Sequence, residues 1–521
     1  MSATLFHGGR VHIGDGTSAE ALVSRDGRVV ATGRAADLAR EHGGAERVDL
    51  RGGLMTPGWH DTHVHFTWWA IQMGQIDLRD EPTVDAALAR IAEYARTLPE
   101  RAWVLGGRFD KNRWGRWPTA AELDRATAGR PAALRSRDGH ARWLNTAALR
   151  AAGVDGSATD PAGGVIERDA SGMPTGILKE NANALADRVV PPPSVDECVA
   201  AVELGQREAH RRGITAVEDL EQAAAFGAFQ RRRDRGELRL RVAMGIPHGD
   251  LDAALALGLR TGVGDEWLRV GHLKIFTDGA LGSQTAALEE PYEGTSDRGL
   301  LTVDPAKLDL DVSRAAEAGI AVAIHAIGDR AVRVALDAIG PTRARRPELR
   351  QRVEHVQLLR PEDIGRFGSL GVIASMQPIH ATSDRDLVDR YWGSERATRA
   401  YPWRQLLRSG ARLAFGSDAP VEPIDPLLGI HAAVARKRPG DADRWHPEEA
   451  LTLDEAIAGY TSGAAYAMSA DRERGTFAAG MRCDATVVER DLGTTPVDEW
   501  PSLKITGTIV DGAVVHAAGL A

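Results

Sequence analysis

Sixteen histidines are scattered through the 521-residue chain, and two of them, His63 and His65, stand one residue apart in MTPGWHDTHVHF. On a β-strand, residues i and i+2 project to the same face, so these imidazoles could grip one metal ion from a single strand end. The alternative is a surface pair, since chance HxH pairs are expected among so many histidines. Lys274 lies inside the apolar run GHLKIFTDG, where a free ammonium is costly to bury. Three readings are open for it: snorkelling, an ion pair with Asp278, or reaction with carbon dioxide to a carbamate that bridges two cations. His325 ends AVAIH and His355 ends RVEH; taken alone, each suits a core histidine better than a ligand. Asp418, in AFGSDAP, could simply cap the next helix. The order HxH, Lys, His, His, Asp on successive strand ends makes coincidence a poor explanation. Four imidazoles and two carboxylate-type oxygens suit zinc or a similar divalent ion, and suffice for two.

The elements that must carry these residues are legible as alternation. Short apolar segments at 213–219, 241–246, 270–279, 319–329, 351–359, 371–380 and 411–420 are each followed by a helical stretch. Strand–helix alternation at this spacing predicts βαβ units and a parallel sheet. About eight units predict an α/β fold closed as a distorted (β/α)8 TIM barrel over 58–470. The candidate residues fall at or just beyond the strands' C-terminal ends, where such barrels carry their chemistry. Residues 1–57 and 471–521 differ: both are rich in alternating strands with Asp-Gly and Gly-Gly bends, which predicts one small β-sandwich drawn from both termini. Residues of about 80–180 fit the barrel rhythm poorly and are read as an insertion over its mouth.

Composition narrows the class of partner. Lys and Arg total 64 against 73 Asp and Glu, a net charge of -9, which argues against nucleic acid. The run Arg231–Arg233 is read as a solvated helix face. Two cysteines, Cys198 and Cys483, provide no disulfide framework and no metal knuckle. No apolar run approaches the length of a membrane span, and MSATLFHGGRVHIGDG lacks the basic start and apolar stretch of a signal peptide. A cytoplasmic protein with no membrane partner is the expectation.

The set of segments PGWHDTHVHF, GRFDKNRW, SRDGHARWLNTAAL, PTGILKENA, LKIFTDGALGSQTA, HAIGDRAV, EHVQLL, SMQPIH and GSDAPVEP resembles the amidohydrolase superfamily. The closer likeness is to its "amidohydrolase 3" group, which includes N-substituted formamide deformylases. The resemblance spans nearly the whole chain. It implies a distorted barrel with a sandwich from both termini. It also implies metal ligands at His63 and His65 on the first strand, a carboxylated Lys274 on the fourth, His325 and His355 on the fifth and sixth, and Asp418 on the eighth. No ligand of the set is missing. Homodimers are common in the superfamily.

The chemistry expected is hydrolysis of a small-molecule amide, an N-formyl or N-acyl amine. Metal-activated water would attack, and Asp418 would pass its proton to the leaving nitrogen. A deaminase acting on a cyclic amidine and a phosphotriesterase- or lactonase-like hydrolase are the alternatives within the superfamily. A non-enzymatic scaffold is the alternative outside it. Lys274 speaks against the first, because such deaminases are usually mononuclear. For substrate contacts the candidates are His140 in SRDGH, Asp110 and Trp114 in GRFDKNRW, Trp69 beside the HxH, and Gln377 and His380 after the seventh strand. Twelve tryptophans against nine phenylalanines leave two readings open, an aromatic pocket or ordinary packing.

Overall fold

The computed structural model describes residues 3–14, 16–100, 102–220 and 223–520. Its centre is one eight-stranded parallel sheet. We number its strands β1 (Trp59–Val64), β2 (Ile214–Asp219), β3 (Arg241–Pro247), β4 (Leu268–Phe276), β5 (Val322–Ala326), β6 (Arg352–His355), β7 (Ile373–Met376) and β8 (Arg412–Phe415). Sheet order follows chain order, and every neighbouring pair is parallel. The seven apolar segments picked from the sequence are β2 to β8. Nearly all their residues are buried, as expected for strands covered on both faces. Short hydrogen bonds draw the ends of β1 and β8 together: Asp418 N donates to His63 O at 2.7 Å, and His65 N donates to Ala419 O at 2.9 Å. The sheet is thereby a nearly closed barrel.

Helices pack outside the strands and start where the sequence supplies caps. Ser194 and Glu197 form a capping box on Val195–Arg211, and Asp304 with Pro305 opens Pro305–Ala318, which ends at Gly319 in the left-handed region. Within this layer Arg231 and Arg233 pair with Asp196 and Asp265. Arg232 is buried beside Glu203 and Glu237, so the triplet is not a solvated face throughout.

Two further sheets come from the chain ends. A four-stranded sheet uses Thr4–His7, Ala21–Arg25, Arg28–Gly33 and Glu46–Asp49. A six-stranded one pairs Leu54–Pro57, from the N-terminal part, with Ala485–Val488, from the C-terminal part. Its last hairpin turns at Asp511-Gly512, with φ of 54° and 76°, the left-handed pair that a two-residue type I′ turn demands. A separate six-stranded sheet, from Ile76–Asp77 to Pro174–Glu180, has its own core with Ile91, Leu123 and Trp143. This inserted unit reaches the barrel through Arg137, whose Nη2 lies 2.6 Å from Glu422 Oε1.

The terminal sheets and the barrel share a buried charge pair. Arg241 on β3 and Asp484 are both essentially inaccessible, with Nε to Oδ2 at 2.5 Å and Nη2 to Oδ1 at 2.9 Å. Removing Asp484 leaves buried Arg241 with only the longer 3.4 Å contact to Asp511, which is one-third exposed, as its ion pair. Asp484→Ala is therefore expected to cost about 3–5 kcal/mol in denaturant unfolding. The joint change Arg241→Met with Asp484→Leu should recover most of that loss; a single variant as stable as the parent contradicts this reading.

Candidate active site

The seam between β1 and β8 fixes three of the candidate residues at once. Asp61 on β1 accepts from His63 N, from Ser417 N at 2.9 Å and from Ser417 Oγ at 2.5 Å. Burial pushes its carboxyl up to about 7, while those hydrogen bonds act to lower it. Gly416 has to be glycine here: a Cβ would stand 2.6 Å from His63 N and 2.7 Å from Asp61 Oδ1. Beyond it Asp418 has φ of 57°, a left-handed backbone that turns the carboxylate into the barrel mouth. Its Oδ1 lies 3.3 Å from His63 Nε2 and 3.6 Å from His65 Nε2, and its Oδ2 lies 3.7 Å from His380 Nε2.

Partners behind each imidazole decide which nitrogen faces the mouth. His63 Nδ1 is 2.7 Å from Glu354 Oε2. Burial acts to raise Glu354, yet Arg352 and His63 hold it well below the usual carboxylate range, so it is ionised and can only accept. His63 Nδ1 therefore carries a proton, and Nε2 is the nitrogen turned to the mouth. His355 Nδ1 donates to Gln377 Oε1 at 2.8 Å, which frees its Nε2. His325 Nε2 donates to Gly279 O at 3.0 Å, which leaves Nδ1 for the mouth. Burial drives both His325 and His355 well below the ordinary imidazole value, so both stay neutral. Ring centroids are 4.7 Å apart for His63 and His355, and 4.5 Å for His325 and His355.

Asp418 keeps its charge among them. Burial opposes ionisation, but the imidazoles of His63, His380 and His65 hold its carboxyl well below the usual range. His63, His355 and Asp418 each offer a donor atom, and these lie within 4.8 Å of one another, all three residues buried. Imidazole nitrogens converging on one carboxylate are the donor set of a divalent cation, so the residues present fit such an ion.

Lys274 completes the floor. It is 3% exposed, and its Nζ lies 3.5 Å from His63 Nε2 and 4.6 Å from the Phe276 ring centroid. Burial lowers its ammonium to about 8. The ion pair with Asp278 does not form. Asp278 instead accepts from the backbone N–H groups of Ala287, Ile327 and Gly328.

A cavity of about 810 Å³ opens above these groups, walled by the barrel loops and the inserted unit. It contains His140, Asp110 and His380 from the expected substrate set. His140 Nδ1 is 2.8 Å from Glu180 Oε2, and Thr285 Oγ1 donates to Glu180 Oε1 at 2.6 Å. Burial acts against the charged form of His140, but Glu180 outweighs it and raises the imidazole to about 9.

Three expected substrate contacts are corrected. Trp69 turns into the core between helices, its ring 5.4 Å from that of Phe66. Helical phase separates adjacent residues by about 100°, and it is Trp68 that faces the cavity. Trp114 stacks on Phe109 at 5.5 Å and donates Nε1–H to Glu81 O, so it belongs to the inserted unit's core; Trp117 lines the cavity instead. Gln377 is 1% exposed and lies behind His355, out of reach of a substrate. Sequence reasoning missed Glu354, which anchors His63, and Glu180, whose segment PTGILKENA had been noticed without a role.

Comparison with known proteins bears on the whole chain. The model of the amidohydrolase family matches residues 46–516. The putative amidohydrolase YtcJ of Bacillus subtilis (strain 168) is 33% identical over 532 aligned residues, covering 98% of this chain and 99% of its own. The N-substituted formamide deformylase of Arthrobacter pascens is 28% identical, covering 95% and 94%. An uncharacterized metal-dependent hydrolase from Pyrococcus horikoshii OT3 superposes with a TM-score of 0.77 at 27% identity, over 95% of this chain and 99% of that one. With its parallel barrel and buried His/His/Asp group, the chain belongs to the amidohydrolase family and is an enzyme of the hydrolase class.

Proposed function

We propose that the enzyme hydrolyses the C–N bond of a small N-acyl amine, an N-formyl amine foremost, with His63, His65, Lys274, His325, His355 and Asp418 holding one or two divalent cations, zinc being the first candidate. The convergence of His63, His355 and Asp418 donors within 4.8 Å is the observation that carries this reading. A 28% identical relative that acts on N-substituted formamides supports the choice of bond. A cation held there supplies Lewis acidity, polarising the carbonyl and lowering the pKa of water. Lys274 is read as a carbamate: a buried amine whose proton is loosened by burial can attack carbon dioxide, losing a proton and forming an N–C bond. Its new carboxylate would suit a site otherwise rich in imidazoles. The cytosol is the compartment we propose, in keeping with two free, buried cysteines.

The chain's own groups then divide the work. Asp418 is ionised and takes the proton of the water that attacks the carbonyl carbon. The amide nitrogen leaves as the C–N bond breaks, and Asp418 returns the proton to it, because an amine is a poor leaving group until protonated. His140, held protonated on Nδ1 by Glu180, offers its Nε2–H to the carbonyl oxygen as negative charge develops there. Glu354 and Gln377 keep His63 and His355 in the tautomers that present Nε2.

Three outcomes are expected. Asp418→Asn lowers kcat on N-formyl amines by about 10²–10⁴-fold with an unchanged melting curve; a variant with near-parental kcat removes the assigned base. Glu354→Gln weakens metal affinity by about 10–100-fold in competition with a chelator, and equal affinity would mean that Glu354 does not orient His63. Protein equilibrated with ¹³C-labelled bicarbonate shows a carbamate resonance that Lys274→Ala lacks. Identical spectra from the two proteins would leave Lys274 a bare amine.

A further inference from the structure

The outer wall of the cavity carries a charge that this chemistry does not use. Lys111, in the GRFDKNRW segment of the inserted unit, lines the cavity and contacts none of the six proposed metal ligands. Its Nζ lies 3.3 Å from Gln284 Oε1 and 3.3 Å from Tyr391 Oη. The ring centroids of Trp117 and Tyr391 are 5.4 Å and 5.2 Å away. Both hydrogen-bond partners are neutral, and among the described residues Lys111 has no ion-pair partner.

The two acids that act on Lys111, Asp138 and Asp110, stand off from it and bond to other groups. Asp138 Oδ1 accepts from Ser136 Oγ at 2.5 Å and from His140 N at 3.1 Å. Asp110 caps Asn112 N with Oδ1 and sets Oδ2 3.8 Å from Arg137. Arg390 lines the same wall, 5.1 Å from the Tyr391 ring centroid, and it too lacks an ion pair among the described residues. An ammonium has three N–H donors. Two of Lys111's are spent on long bonds, and one remains for whatever fills the cavity. Burial lowers Lys111 to about 8, which marks partial desolvation while leaving it mostly protonated at neutral pH. Asp138 and Asp110 favour its charged form without touching it, and a half-desolvated cation that lacks a contact ion pair gains when an anion arrives.

We propose that Lys111, with Arg390 beside it, forms a subsite for an oxyanion on the substrate, so that the preferred amide carries a carboxylate or comparable group away from the scissile bond. This inference rests on the amide-hydrolase reading above and deepens it.

Calorimetric titration of the metal-loaded enzyme with a short alkyl sulfonate, and with the alcohol of the same chain length, tests the subsite without relying on turnover. A sulfonate is a poor metal ligand, so the comparison isolates the outer wall. The parent is expected to bind the sulfonate about tenfold more tightly than the alcohol, as a charge-assisted hydrogen bond allows. That ratio should fall to about one in Lys111→Met and return in part in Lys111→Arg. A parental ratio near one overturns the proposal, as does Lys111→Met retaining the preference. Should Lys111→Met fail to fold, the parent decides alone: its preference must be present and must shrink as salt rises. Amine release from N-formyl amines in the same preparations reports on the amide reading separately. Hydrolysis of neutral and anionic amides at equal kcat/KM would sink only the subsite, whereas no release from any amide would sink the reaction assignment.

Discussion

Buried imidazoles crowded face to face around one carboxylate are the constraint on which the rest of the site depends. His325 and His355 are denied their charge by burial, and His63 points a proton away toward Glu354. The nearby anion is Asp418, and the nearby amine is Lys274. A divalent cation would satisfy this arrangement, because the outward nitrogens are fixed from behind by a carboxylate, an amide oxygen and a main-chain carbonyl.

Holding such a cluster requires a rigid support, and the barrel interior supplies it as a chain of buried charges. Glu354 is 2.5 Å from Arg352, Arg352 is 2.9 Å from Glu218, and Glu218 is 2.7 Å from His272, all inside the barrel. These residues come from β6, β2 and β4. Arg352 is shared between the two carboxylates and His272 hydrogen-bonds Glu218, so the network is tolerable at low dielectric, but loss of one member would expose the next. The barrel thus fixes the proposed metal donors, while the inserted unit contributes His140, Asp110, Lys111 and Trp117 to the cavity.

Much of this was legible in the sequence, for a physical reason. Parallel strands buried on both faces read as apolar runs, and a polar residue ending such a run stands out, as His325, His355 and Lys274 do. The terminal hairpin was equally readable, since Asp511-Gly512 is a turn that few other pairs can make. What failed was direction. Trp69 and Trp68 are adjacent in a helix, and only the helix's docking decides which faces the cavity. Trp114 ends a short helix and Trp117 lies in the loop beyond it, so no single period relates them. Glu354 was hidden by its neighbour. Strict alternation would put Glu354 and His355 on opposite faces, but the left-handed backbone at His355, with φ of 72°, turns both inward. No periodicity argument reaches that.

The central claim is that these converging donors hold a divalent cation. Metal analysis of the purified enzyme beside His63→Ala tests it most directly, after both are reconstituted with zinc, manganese or iron and freed of excess. The account predicts about one to two tightly held equivalents in the parent and a large loss of metal in the variant, with the fold preserved. A parent that retains no metal from any of the three, or a variant that retains the parental amount, would contradict it.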